Sequence, residues 1–421
     1  MTNIFLSIPS NKKLFESFLS LTFFQIVNYI IPLVTIPYLS RVLGPDKFGL
    51  VMFAQTLMIY FNILTDYGFN LSATRQVAIN STHRDKLKEI FSSVLIIKMI
   101  LVFISLLILL VLILQVEKFR VNSEIFILAF PSVIGQAMFP LWFFQGLERM
   151  RYIAILSFLS KFIYVVLVFA FVKNNFDYPY VPLFYSLGNV ISGIVALTLC
   201  FHNFGVSLFI PTFDKIRDQL KDGFYVFLGQ ISIQLFNSVN ILLLGLFSEN
   251  IYVGYYTGAD RIIKAFNYIA VPIVNSIYPH VAGLLAKSKN DGFKFLKKVL
   301  FIFAPMFLAI SVFLFIFGEQ IAVLALGEEF SSSGIIVKIL SILPFSVFLN
   351  NIFGTQILIN LNRTKEYTLV FLFAGLINVF LILVLVWDLK HIGVAIATLC
   401  SELFVLFGTY YFATKEGFKI L

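Results

Sequence analysis

QIVNYIIPLVTIPYLSRVLGPDKFGLVMFAQTLMIYFN (Gln25–Asn62) returns in altered form 205 positions later as QISIQLFNSVNILLLGLFSENIYVGYYTGADRIIKAFN (Gln230–Asn267). Gln25 falls on Gln230, Ile36 on Ile241, Leu39 on Leu244, Gly49 on Gly254, Ala54 on Ala259, and Phe61-Asn62 on Phe266-Asn267. The matches run through the same pair of apolar segments and include amides, which are costly to bury and so are not filler. The echo predicts a duplicated chain, with one half over residues 1–205 and the other over 206–421.

Around this echo the chain is apolar almost throughout: 59% of its 421 residues are hydrophobic, 17% aromatic and only 13% charged. That is not the surface of a protein dissolved in water. A helix needs about 20 apolar residues to cross the hydrocarbon core of a bilayer. About 12 segments qualify. They are expected near 18–40, 48–70, 89–115, 125–146, 153–173 and 179–201, then 224–247, 255–285, 296–318, 335–359, 368–388 and 392–413. No alternating pattern of barrel strands occurs. The fold class expected is therefore all-α and integral to the membrane, in two six-helix bundles related as a repeat and enclosing a central cavity.

Cationic loops are retained in the cytoplasm. With the N-terminus inside, about 20 of the Lys and Arg residues fall in cytoplasmic segments, about 6 in outside loops and about 5 within spans. The clusters are Lys12 and Lys13; Arg84, Lys86 and Lys88; Lys215, Arg217 and Lys221; and Lys287, Lys289, Lys294, Lys297 and Lys298. Both termini are expected inside. The net charge of +9 then reflects topology and attraction to anionic lipids rather than nucleic acid. The first apolar run is too long for a cleavable signal peptide. Cys200 and Cys400 fall in or near spans and are expected to be reduced and unpaired.

Loops are expected to be short, the longest over Gly318–Gly334, which leaves no room for a nucleotide-driven domain. No phosphate loop, zinc-protease motif or nucleophile elbow is present. The four His residues (His83, His202, His280, His391) are scattered. No enzyme, metal or cofactor is expected.

Polar groups inside spans must face a cavity or a partner. Gln25 and Asn28 share a face of the first span; Gln55, Asn62 and Asp66 share one on the second; Gln230, Gln234 and Asn237 share one on the seventh. Each can line a cavity or simply join helices. The intramembrane charges are Lys98, Lys161, the Asp260, Arg261 and Lys264 group, Lys338 and Glu402. Asp260 and Lys264 are four apart and can pair, leaving Arg261 as the uncompensated cation. Arg261 either binds an anion or bridges to Asp66 or Glu402. Lys98 and Lys338 lie near span ends, where long side chains snorkel. Trp142, Tyr255 and Tyr256 read as interfacial residues that could also touch cargo. The cationic tilt favours an anionic cargo.

The runs SRVLGPDKFGLVMFAQ (Ser40–Gln55), DYGFNLSATRQVA (Asp66–Ala78), WFFQGLERMRYIA (Trp142–Ala154) and IYVGYYTGADRIIKA (Ile251–Ala265) resemble signature stretches of the polysaccharide-transporter family. These are the O-antigen, or Wzx-type, flippases of the multidrug/oligosaccharidyl-lipid/polysaccharide exporter superfamily. The resemblance covers the whole chain. It implies movement of a polyprenyl-diphosphate-linked oligosaccharide from the cytoplasmic to the periplasmic leaflet of a bacterial inner membrane, by alternating access, for surface polysaccharide synthesis. Arg261 and Lys264, with Lys161, would hold the diphosphate, and Lys98, Asn62, Gln25 and Gln230 would be further substrate-binding residues. Asp66, Asp260 and Glu402 would couple Na+ or H+ or pair with bases. Membrane lipids, and a polysaccharide polymerase with its chain-length regulator, would be partners. The alternatives are another lipid-linked glycan flippase, a small-molecule exporter of the same superfamily, or a membrane glycan polymerase.

Overall fold

The computed structural model describes residues 11–419, and it leaves the side chains of Lys12, Lys13 and Asn237, among others near 11–29 and 232–237, outside the description. The described elements are helices throughout. Nine stretches among the described residues are long and apolar enough to cross a membrane, and Ser238–Phe247 is the apolar end of a tenth long helix, Phe213–Phe247. Three of the nine bend at a non-helical residue, one of them at Phe317 within Lys289–Leu326. Gly44 (φ 67°) breaks Asn11–Asp66, in a backbone region that suits glycine; Lys390 (φ 47°) breaks Thr364–Lys415.

The expected loop at Gly318–Gly334 is mostly helix instead. The preceding helix runs Lys289–Leu326, because Ala322 and Leu326 continue its buried face, and it stops only at Gly327 (φ 104°). A 3₁₀ turn, Glu328–Phe330, then leads into Ser333–Leu340. The charged stretch before the seventh expected span is also helical, within Phe213–Phe247. The stretch expected as the tenth span is segmented into Ser333–Leu340, Leu343–Asn350 and a π-helical Asn351–Ile359. Pro344 sits at the start of the middle piece, where a missing N–H costs nothing.

By contacts the chain forms two compact units. One comprises Ala54–Ile233 with residues up to Thr35, the other Ile36–Phe53 with Gln234–Leu421. In the first, Phe143 packs edge to face on Phe91 and Trp142, which are tilted against each other, at 5.2–5.8 Å within a core that also takes in Phe69 and Ile153. Trp142 is fully buried, so it is neither an interfacial residue nor a cargo contact. Its apolar ring gains more in that aromatic core than at the interface. In the second unit Phe307 stacks on Phe348 at 4.6 Å within a core of helix-facing Val, Leu and Phe. Phe301, Phe315, Phe380 and Phe407 are more than half exposed, which water would penalise and lipid does not.

The echo residues meet inside the second unit. A Cβ on Gly49 would lie 1.9 Å from the Asn250 carbonyl oxygen, and one on Gly254 would lie 2.0 Å from that of Pro45. Pro45 and Asn250 are themselves one repeat shift apart, so the contact is reciprocal. Two like segments crossing about a local two-fold axis make such contacts, and only glycine permits this backbone approach.

Candidate functional site

In the first unit the polar interior gathers where Asn11–Asp66 ends. Tyr67 (φ 46°) and Gly68 (φ 80°) turn the chain into Phe69–Ile79. Asp66, the last helical residue, faces Lys98 from the middle of Arg84–Gln115, with Lys98 Nζ 3.6 Å from Asp66 Oδ1. Both are buried, at 3% and 9% exposure. Lys98 therefore does not snorkel, because its charge is held inside the unit by a carboxylate. The separation exceeds a hydrogen bond, and neither Asp66 oxygen has a hydrogen-bond partner. Asn62 Oδ1 and Asn70 Oδ1 are likewise buried and unpartnered.

Elsewhere in this unit the Lys161 ammonium donates to Asn28 Oδ1. Gln136 Nε2 donates to Asn189 Oδ1 at 2.8 Å, an amide pair that joins helices. Gln25 is exposed and Gln230 half-buried, so the echo amides sit in different surroundings.

In the second unit the spacing argument holds: Lys264 pairs with Asp260 at 2.8 Å, four residues apart on Asn250–Asn267. Arg261, on the adjacent face, has its Nε buried without a hydrogen-bond partner, and no salt bridge to it occurs among the described residues. The alternative bridges are not made: the acid partner of Lys98 is Asp66, and Glu402 Oε2 accepts from Asn350 Nδ2 at 3.3 Å. Asn350 precedes the π-helical turn, a widened geometry that frequently accompanies function. Lys338, half-exposed, pairs with Glu319 at 3.6 Å.

Sequence reasoning missed a second cluster in this unit. Asn240 Nδ2 donates to the Tyr256 hydroxyl at 2.8 Å and to Thr398 Oγ1 at 2.9 Å. Tyr256 and Thr398 hydroxyls are 3.0 Å apart, and Asn378 Nδ2 donates to Asn240 Oδ1 at 2.7 Å. Tyr256, 1% exposed, is thus no interfacial residue, because its hydroxyl finds partners indoors. One signal was available: Asn240 continues the Gln230, Gln234, Asn237 spacing by three residues. No group of three or more His, Cys, Asp or Glu able to hold a metal occurs among the described residues. Cys200 and Cys400 are both free thiols.

Residues 14–285 match the family described as polysaccharide biosynthesis protein. The chain is 32% identical over 378 residues, covering 90% of itself and 91% of its relative, to an Escherichia coli (strain K12) protein provisionally named an O-antigen transporter. The chain belongs to the polysaccharide biosynthesis protein family. Another member, from Shigella dysenteriae, carries the same provisional name and is 26% identical, over 90% of this chain and 94% of its own. The fold is that of the lipid II flippase MurJ in an inward closed conformation, with a TM-score of 0.71 at 13% identity, over 93% of this chain and 87% of that one. It also resembles a MATE multidrug transporter of the MOP superfamily in an inward-facing conformation, with a TM-score of 0.67 at 14% identity, over 95% and 98% of the two chains. This family member is a multi-pass membrane protein with a transporter fold.

Proposed function

We propose that this protein is a flippase for a lipid-linked oligosaccharide, moving a polyprenyl-diphosphate-bound repeat unit across the bilayer for O-antigen or related surface polysaccharide synthesis. Family membership supports this class, as does the naming of its relatives as transporters rather than enzymes. A further relative, 22% identical over 87% of this chain and 76% of its own, is the Haloferax volcanii protein provisionally named the low-salt glycan biosynthesis flippase Agl15.

In this reading the chain crosses a bacterial inner membrane twelve times, with both termini cytoplasmic. The halves 1–205 and 206–421 are repeats, and the reciprocal Gly49–Gly254 contact supports that relation. Transport proceeds by alternating access.

The observation that carries the reading at residue level is Arg261. A guanidinium inside an apolar helical protein, with its Nε unpartnered beside an already neutralised Asp260–Lys264 pair, has capacity left for an anion. A diphosphate offers the matching acceptors. Lys264 assists from the same helix, Lys161 is a candidate cation of the first unit, and Asp66, Asp260 and Glu402 are the candidates for Na+ or H+ coupling. Lys98 is committed to Asp66 and contributes through that pair. A polymerase and its chain-length regulator would take the flipped unit.

Deleting the gene and assaying the sidedness of the lipid-linked glycan tests this reading. The expected result is a bare surface with repeat units trapped on the cytoplasmic face; units that reach the outer leaflet unpolymerised would refute it. Arg261→Ala should abolish export while leaving the protein in the membrane, and undiminished export removes Arg261 from the site.

A further inference from the structure

Asp66 is the residue on which Asn11–Asp66 ends, and that position calls for a cation. The last carbonyls of a helix lack intrahelical partners and carry partial negative charge, so a carboxylate among them adds to an already negative end. No Lys or Arg stands in the last turn of this helix to offset it. The cation comes from another helix, as Lys98 of Arg84–Gln115, and among the described residues Asp66 is the one acid within salt-bridge range of that ammonium.

Further oxygens stand at the same helix end. Asn62 lies one turn before Asp66 and shares its face, and Asn70 lies four residues after it, beyond the turn at Tyr67 and Gly68. Both carboxylate oxygens of Asp66, Asn62 Oδ1 and Asn70 Oδ1 are buried and accept no hydrogen bond. Acceptors left without donors in an apolar interior are costly. A hydrogen-bond donor meets such oxygens one at a time, whereas a small cation is met by several at once. Carboxylate and amide oxygens suit hard cations, and helix C-terminal ends coordinate Na+ inside membrane proteins.

Charge decides the valence. One carboxylate is balanced by one positive charge, and a divalent ion would leave an excess charge among apolar side chains. Lys98 supplies that single charge from 3.6 Å, without a hydrogen bond to either carboxylate oxygen. An ammonium fitted to the carboxylate alone would sit at about 2.7–2.9 Å.

We infer that Asp66 and Asn62, with Asn70 beyond the turn, form a monovalent-cation site whose occupant is the chain's own Lys98 ammonium, and that Na+ takes the place of the ammonium when Lys98 is removed. The first unit thus carries its cation covalently. In the flippase reading, on which this one consequence rests, Na+ coupling then falls to Asp260 or Glu402 of the second unit; the site itself is independent of that reading.

The test is thermal unfolding of the full chain in lipid nanodiscs, in NaCl against choline chloride at equal ionic strength. Any response of the wild type to Na+ arises outside this site and should survive Asp66→Asn. Lys98→Ala removes the ammonium and leaves its space. It should gain about 2–4 °C more from Na+ than the wild type does, once Na+ is at about ten times its dissociation constant. The gain should saturate, and adding Asp66→Asn to Lys98→Ala should remove it.

The site is overturned if Lys98→Ala gains no more from Na+ than the wild type, or if the gain survives in the double variant, which places the ion elsewhere. It is overturned as well if a wild-type response to Na+ disappears in Asp66→Asn, because the ion would then bind beside the ammonium. Folding of Lys98→Ala only when NaCl is present during purification supports the site. Failure of both Lys98→Ala and the milder Lys98→Gln to fold in either salt overturns it, since a cation site would have taken the ion in place of the ammonium. Export after gene deletion bears on the flippase reading alone.

Discussion

The two units bury polarity in opposite ways. The first holds Lys98 and Asp66 apart at 3.6 Å, with both carboxylate oxygens and two neighbouring asparagine oxygens lacking hydrogen bonds. The second joins Asn240, Tyr256, Thr398 and Asn378, all neutral, by four contacts of 2.7–3.0 Å that leave one acceptor of the four residues, Asn378 Oδ1, without a partner. A satisfied network rigidifies the core around it, and an under-satisfied buried pair retains a cost that a different arrangement can recover. The Asn240–Tyr256–Thr398–Asn378 network of the second unit therefore fits a structural role, unlike Arg261 of the same unit, whose Nε is buried without a partner. The first unit's ion pair is the part with something to gain by rearranging.

The largest effect should come from breaking the ion pair. Lys98→Met leaves Asp66 buried and uncompensated, and should lower unfolding stability of the purified protein by about 3–5 kcal/mol. Adding Asp66→Leu should restore most of it, since paired apolar replacements are close to neutral. A double variant as unstable as the single would show that Asp66 has other obligations. Asn240→Leu should cost less, about 1–3 kcal/mol, because it strands the Asn378 amide donor without leaving a charge. If Asn240→Leu proved worse than Lys98→Met, the contrast between the units would be reversed.

The smallest effect concerns a charged contact outside the spans. Glu416 accepts from Lys289 at 2.7 Å and from Arg363 at 2.6 Å, and Lys289 first, then Arg363, hold its carboxyl below the ordinary range. A carboxyl lowered in the folded state contributes stability above its unfolded value of about 4.3 and loses it as pH falls through the lower folded value. The difference in melting temperature between the wild type and Glu416→Gln should be largest near neutral pH and fade as pH falls through the lowered folded value. A difference that persists in acid would assign the contact to packing instead of charge.

The Asp260–Lys264 pair was legible because one helix turn sets both its members, and Arg261 followed as the residue left without a partner. The Asp66–Lys98 pair was not legible. Its members lie on different helices, and a charge near a span end reads as snorkelling until the neighbouring helix is in place. Trp142 and Tyr256 misled for the same reason: position along a span suggests the interface, but which face the helix turns inward decides burial. The echo at Gly49 and Gly254 was visible as similarity, yet only the structure revealed that these glycines pack against each other's helices.

By itself the sequence determined that the chain is helical, lives in lipid, is internally duplicated in pattern and carries the stretches of its family. Each of these follows from local apolarity, from spacing within one helix or from residue identity. The tertiary structure alone decided which charges pair, which amides close a network and that Gly49 and Gly254 pack against each other's helices. Those outcomes depend on which helix faces meet, and contacts between segments far apart in the chain leave no periodicity to read.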